Sequence, residues 1–304
     1  MDRKHTDILR SIVKNDQLTK PIDLSQYQHH PLVESLKLSD KEFKQFFGVI
    51  VKMIAEQKLC DETPNVCSNV TAYHTRLIRS DKNKLEVVSV PCEKVQNMEQ
   101  IKSHYLIRNF ADTNLNVLLT PKSIGKLVDP TKAKLLEHYK KLAKQETIDH
   151  GIYVHGAMGI GKTYTSIALS NELALSGKTI AFVFVPDMVY ELRQGFDKDS
   201  SSNGELVDKM KFADVLFLDD IGAEDTSVWF YNNYLLLILN YRMQNNKPTF
   251  FNSNLSLESF VRKLSELMHR SINADRLIER IRALTHNVEF KLLGSNKRYP
   301  PTKN

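Results

Sequence analysis

Apolar residues recur every three to four positions through the first part of the chain: Ile8, Leu9, Ile12 and Val13, then Leu32, Val33 and Leu36, then Phe43, Phe46, Phe47, Ile50 and Ile54. That spacing lines one face of successive helices, so residues 1 to about 58 are expected to be helical. The period changes after Thr71. Leu77-Ile78 and the run Leu85-Glu86-Val87-Val88-Ser89-Val90 read as two strands around Asp81-Lys82-Asn83, a hairpin turn. Asn109 to Pro130 is polar and mixed, with Pro121 and Gly125, and reads as the connection between two domains.

Asp129-Pro130 opens a helix expected to run through Lys144, with proline in the first turn where its missing N–H costs nothing. Strand and helix patterns then alternate. The strands are Gly151 to His155, Thr179 to Val185, Asp214 to Leu218, Thr249 to Ser253 and Val288 to Leu293. This pattern predicts an α/β fold in which a parallel five-stranded sheet lies between helices. The expected division is an N-terminal domain at 1–115, a linker at 116–130 and a domain carrying the alternating pattern at 131–304. Asp199 to Gly204, rich in serine, reads as a short flexible loop.

Between the strand Ile152-Tyr153-Val154 and the helical pattern Ser166 to Leu175, closed by Gly177, stands Gly156-Ala157-Met158-Gly159-Ile160-Gly161-Lys162-Thr163. It fits G-x-x-x-x-G-K-[ST]. Glycines let the backbone curl so that its N–H groups face a phosphate chain, and the helix that follows presents its positive end to the same anion. Lys162 is expected to neutralise the β and γ phosphates of ATP, and Thr163 to hold Mg²⁺ through its hydroxyl.

The buried strand Val215-Leu216-Phe217-Leu218 ends in Asp219 and Asp220. Functional groups of an open α/β sheet gather at the carboxyl ends of its strands, so Asp219 is expected in the Mg²⁺ sphere and Asp220 against the water that attacks the γ-phosphate. The bland reading of this pair is a helix cap. Asn254, ending the strand Pro248 to Ser253, is expected to hold that water or a phosphate oxygen, with Asn252 as runner-up. Asn273 to Arg282 forms a basic amphipathic helix in which Arg276 and Arg280 share a face. Either arginine could stabilise transition-state charge in a neighbouring subunit, or pair with Asp275 and Glu279 on an exposed surface.

A chain of 304 residues with 41% hydrophobic and 26% charged residues has room for two ordinary globular domains. Its net charge of +6 suits an anionic partner, nucleic acid above all, without demanding one. Met1-Asp2-Arg3-Lys4-His5 leads into a polar stretch, and no apolar run reaches membrane-spanning length, so a cytoplasmic protein with no membrane partner is expected. Three cysteines argue against a disulfide framework. Cys60, Cys67, His74 and Cys92 offer four ligands of zinc type, with His104 as a spare, although no C-x-x-C occurs; buried thiols beside a surface histidine would read the same way.

In order and spacing these pieces resemble the AAA+ replicative-helicase loaders, the DnaI/DnaC primosomal family. The resemblance rests on Gly156 to Thr163, on Val215 to Glu224, on Leu239-Asn240-Tyr241-Arg242-Met243 with Pro248 to Asn254, and on Arg276 to Ile281. It implies that Asp219 and Asp220 are the Walker B pair, Asn254 a sensor, Arg276 an arginine finger and Arg280 a second trans-acting arginine. It also implies a zinc-binding N-terminal module that contacts the helicase, and single-stranded DNA contacts at Phe196, Ser227 and Trp229. By residue type alone, Phe196 and Trp229 read as core.

The function so implied is ATP-dependent loading of the replicative hexameric helicase onto single-stranded DNA by loader subunits joined through their ATPase domains, with slow, switch-like hydrolysis. A transposition helper ATPase of the same clade, delivering a transposase, is the alternative. A small nucleotide kinase on the same P-loop is a third reading. The adjacent aspartates, the separate N-terminal region and the basic helix count against it.

Overall fold

Ser39 and Glu42 open the first long helix, Asp40–Glu62, as a reciprocal cap. The Glu42 carboxylate accepts from the Ser39 N–H at 2.9 Å, and Ser39 Oγ accepts from the Glu42 N–H at 3.4 Å. The same carboxylate pairs with Arg79 at 3.2 Å, tying the helix start to a hairpin of β1 (Tyr73–Arg79) and β2 (Leu85–Pro91). Asn83 takes the left-handed conformation (φ +57°) that the hairpin turn requires. Val33, Phe43, Ile50, Met53 and Leu77 form the small core beneath.

The computed structural model describes residues 25–62, 72–120, 129–194, 200–222, 228–269 and 272–296. Its chain packing separates two units, Met1–Glu93 and Lys94–Asn304. The helical pattern at Ile8 to Val13 lies outside the described residues.

The second unit is built on a six-stranded, wholly parallel sheet: β3 (Tyr105–Arg108), β4 (Tyr153–His155), β5 (Ile180–Phe184), β6 (Val215–Asp219), β7 (Thr249–Ser253) and β8 (Glu289–Lys291). The spatial order is β3-β5-β6-β7-β4-β8. Alternate residues face opposite sides, as the pleat dictates. Ala181, Val183, Leu216, Leu218 and Phe251 face one core; Ile180, Phe182, Val215, Phe217 and Phe250 face the other. Phe182, Phe217 and Phe250 stack across three neighbouring strands at 5.4 and 4.7 Å. Helix Pro130–Ala143, capped by the Asp129 side chain on the Thr131 N–H at 2.8 Å, and helix Lys162–Leu175 cover the second face.

Arg242 is fully buried behind this sheet. Its guanidinium donates to the carbonyls of Met210, Lys211, Ala213, Asp214 and Pro248 and to the Thr249 hydroxyl. It thereby caps the negative end of helix Ser200–Phe212 and fastens helix Leu236–Gln244 to the entry of β7.

Three expectations are corrected. The sheet has six strands rather than five, because Tyr105–Arg108 adds itself in parallel to the edge at β5. The units divide at Glu93, ahead of the expected boundary at 115, and Val117 and Leu119 of the supposed 116–130 linker are core, buried with Leu115, Leu135 and Leu169. Ser200 to Gly204 is the start of helix Ser200–Phe212, not a flexible loop; Asn203 Nδ2 donates to the Leu192 carbonyl at 3.2 Å.

Candidate functional site

The strand ends of β4, β6 and β7 meet at one rim, because neighbouring parallel strands finish together. From β4 the chain turns through Gly156 to Gly161 and enters helix Lys162–Leu175. Gly156 has φ +147°, and a Cβ there would lie 2.4 Å from the Leu292 carbonyl oxygen; at Gly159 (φ +76°) it would lie 1.9 Å from Asn296 Oδ1. Gly156 meets backbone and admits no side chain, whereas Gly159 meets a side-chain amide and is glycine for its left-handed φ. Met158 is exposed and Ile160 buried, so within this loop the two serve the surface and the core respectively.

Lys162, 7% exposed, donates through Nζ to the carbonyls of Gly156 (2.7 Å) and Ala157 (3.0 Å) and to Asn254 Oδ1 (2.8 Å). Thr163 Oγ1 donates to Asp219 Oδ2 at 3.0 Å, joining the first turn of the helix to the end of β6. Asp220 sits one residue further on, in the left-handed region (φ +60°). That conformation is costly for aspartate and is held here by its surroundings: Asn254 Nδ2 donates to Asp220 Oδ1 at 2.8 Å. Asn254 thus links the lysine to the second aspartate.

Asn252, the runner-up, is buried one alternation earlier on β7. Its Nδ2 donates to Asp219 Oδ1 at 2.6 Å and its Oδ1 accepts from Ser166 Oγ at 3.0 Å. It orients Asp219 from behind. Burial pushes the Asp219 carboxyl above the ordinary aspartate range; the bonds from Asn252 and Thr163 work against that rise, and the Asp220 charge adds to it. The residues fit a magnesium nucleotide: a glycine cradle that tolerates no Cβ at Gly156, a helix start facing it, and a hydroxyl beside a buried carboxylate for a hard cation.

Sequence reasoning missed two residues here. Lys132, 6% exposed, places its Nζ 2.8 Å from where a Cβ on Gly161 would stand, and Asn296 presses on Gly159. Both come from segments remote in sequence, so no local pattern announced them.

Among the remaining candidates, Arg276 is exposed on helix Ile272–Thr285. Arg280 is not free to reach outward in the same way, since its Nε donates to Asn240 Oδ1 at 2.8 Å. Trp229 is half-buried, packing edge-on to Tyr234 at 4.9 Å against the first core. Phe196 and Ser227 lie outside the described residues.

In the first unit, Cys60 ends the long helix, His74 faces Val90 across the hairpin, and Cys92 follows β2 with its N–H bonded to the Ala72 carbonyl at 2.8 Å. Hairpin register brings His74 and Cys92 together and the last turn of the helix adds Cys60, with ligand atoms within 4.8 Å of one another. Zinc ligands in a tetrahedral set lie about 3.5 Å apart, so a small closure accommodates the ion. Cys67 lies outside the described residues. His104 belongs to the second unit, where its Nδ1 meets the Gln100 carbonyl at 2.8 Å.

A parallel sheet in which β7 separates the P-loop strand from the acidic strand, with polar side chains of all three converging at one rim, defines an ATP-binding P-loop protein of the AAA+ type. The chain belongs to the IstB-like ATP binding protein family, matched over residues 130–295. It is 27% identical over 247 residues to "Replicative helicase loader DnaI" of Bacillus subtilis (strain 168), covering 79% of this chain and 78% of that protein. It is 28% identical over 112 residues to "Replicative helicase loader DnaC" of Escherichia coli (strain K12), covering 36% of this chain and 45% of that protein. Of solved structures, a crystal structure of DnaI superposes with a TM-score of 0.54 at 31% identity, over 66% of this chain and all of that one. A structure described as a primosome component from Streptococcus pyogenes serotype M3 gives 0.54 at 28%, over 66% and 98%. No helix among the described residues is long and apolar enough to cross a membrane.

Proposed function

We propose that this protein is an ATP-dependent loader of the replicative DNA helicase, acting on single-stranded DNA. The observation that carries the ATP half of this reading is the Asn254 bridge between Lys162 and Asp220, 2.8 Å on each side. A polyphosphate in the cradle competes for the Lys162 ammonium. Asn254 Oδ1 is then released from the lysine and can accept from a water that Asp220 orients. The γ-phosphate is thereby read at the end of β7, and its loss restores the bridge. Thr163 and Asp219 would hold Mg²⁺, which when bound supplies charge neutralisation for the phosphates. Asp220 serves the water and Arg276, exposed on its helix, serves the site of a neighbouring loader subunit. Positioning without covalent chemistry suits a slow switch.

The loader half is supported by the DnaI relative. Its similarity covers 79% of the chain, more than residues 94–304 alone supply, so it runs into the first unit. We assign helicase contact to that unit, with Cys60, His74, Cys92 and Cys67 as the ligands of a zinc ion that would staple its small core. Light scattering coupled to size exclusion tests the reading, with the chain mixed with its host's replicative helicase, with and without ATP. A complex of defined stoichiometry that is lost with the fragment 94–304 is expected. Absence of a complex in every nucleotide state overturns it and puts the transposition-helper reading in its place.

A further inference from the structure

At the opposite rim of the sheet, where β4 and β8 begin, Asp149, His150 and His286 converge. Their ligand atoms all lie within 4.8 Å of one another. His150 Nδ1 and Asp149 Oδ1 are hydrogen-bonded at 2.6 Å. The rings of His150 and His286 stack at 4.6 Å, 16° from parallel. A third imidazole, His138, lies edge-on to His150 at 6.4 Å, and its buried Nε2 has no hydrogen-bond partner among the described residues. The segments are fixed independently of these side chains, because the Gly151 N–H donates to the Leu284 carbonyl at 2.8 Å. None of the four residues takes part in the nucleotide site.

We infer that Asp149, His150 and His286 form a binding site for a divalent transition-metal ion. Two imidazoles and a carboxylate are the donor set that zinc, nickel and copper favour, and three protein ligands leave a position for water. The ion takes the place of the proton between His150 Nδ1 and Asp149 Oδ1, which part from 2.6 Å to about 3.3 Å, the separation of ligands about a tetrahedral zinc. That proton passes through solvent to Nε2, so the imidazole stays neutral and its Nδ1 lone pair faces the ion. His286 is exposed and has room to tilt its ring out of the stack so that a nitrogen reaches the ion. Bound there, the ion clips the end of the helix carrying Arg276 to the entry of the P-loop strand, and so couples the surface offered to a neighbour with the strand that leads into the cradle.

The test is Ni²⁺ titration of the full-length chain by calorimetry, after one equivalent of Zn²⁺ has been added to fill the cysteine cluster. Wild type, His286→Gln and Asp149→Asn are compared after that addition, and Cys60→Ser without it. One Ni²⁺ per chain is expected in wild type and in Cys60→Ser, and a loss of affinity of tenfold or more in His286→Gln and Asp149→Asn. Both substituted positions are exposed, and binding of a fluorescent ATP analogue at wild-type strength reports that the variants are folded. Absence of Ni²⁺ binding to wild type overturns the inference, as does unchanged affinity in both variants.

Discussion

Asp219 is a carboxylate held where its charge is unwelcome. It is 4% exposed, and burial raises its pKa despite the donors from Thr163 and Asn252. A raised carboxylate binds protons in the folded chain at pH values where the unfolded chain has lost them, so stability falls as pH rises through the folded pKa. At neutral pH without nucleotide, Asp219→Asn is therefore expected to raise the unfolding free energy by about 1 kcal/mol, the scale of one buried polar group, while Mg²⁺-dependent hydrolysis is lost. Denaturant titration beside a phosphate-release assay checks both; a variant less stable than wild type would falsify the account. Asn254→Ala separates binding from turnover: ATP affinity should change little and kcat fall on the order of a hundredfold, the scale on which loss of one preorganised hydrogen-bonding group slows a reaction. The glycine loop and the aspartates were legible in the sequence because their spacing is dictated by the phosphate chain. Which asparagine faces the nucleotide was less so, since the decision between Asn252 and Asn254 rests on where β7 ends relative to β6.

Between elements, a few charged side chains do the joining, and sequence periodicity is silent about them. Arg242 lies in a run that read as helix, yet its guanidinium serves five carbonyls from two other segments. Burial pulls its pKa down to about 9, still charged at neutral pH. Arg242→Ala leaves those carbonyls buried and unpaired, and an expected loss of about 3 to 5 kcal/mol follows. Arg242→Lys rescues little of it, because an ammonium cannot reproduce the fork; urea unfolding of the pair measures the difference. In the first unit, Glu42 joins the helix start to the hairpin. The Ser39 N–H, and then Arg79, hold its pKa down to about 2. Its contribution is complete above the unfolded value of 4.5 and disappears as pH falls toward 2. Protection of the β1 amides, taken relative to intrinsic exchange at each pH, should fall across that window in wild type and much less in Glu42→Gln. The start of helix Ser200–Phe212, up to Gly204, was read as a loop for a comparable reason: three serines and a glycine have low helix propensity, and tertiary packing of Met210 and Val207 overrides it.

At the scale of the whole molecule, the sequence suggested a division near residue 115, because polar residues and Pro121 follow a short and weakly patterned stretch. The structure places Tyr105–Arg108 in the sheet and Ile101, Leu115, Val117 and Leu119 in the core of the larger unit. Tyr105 adds hydrogen bonds from its hydroxyl to Ser170 Oγ (2.7 Å) and Asn171 Oδ1 (2.8 Å), and Asn171 Nδ2 in turn donates to the carbonyls of Asn114 and Val117. Residues 94–120 thus seal the edge of β5 and one flank of the P-loop helix. A fragment starting at residue 94 keeps all of this; one starting at 116 uncovers the β5 edge, an invitation to pair with another chain, and strips apolar side chains from the face that holds helix Lys162–Leu175. The 94–304 fragment should be monodisperse and bind ATP close to wild-type affinity, whereas 116–304 should aggregate or bind at least tenfold more weakly. Light scattering with a fluorescent ATP analogue distinguishes them. Equal behaviour of the two fragments would mean that the edge strand is dispensable and that the ATP-binding unit begins where the sequence pattern, not the packing, suggested.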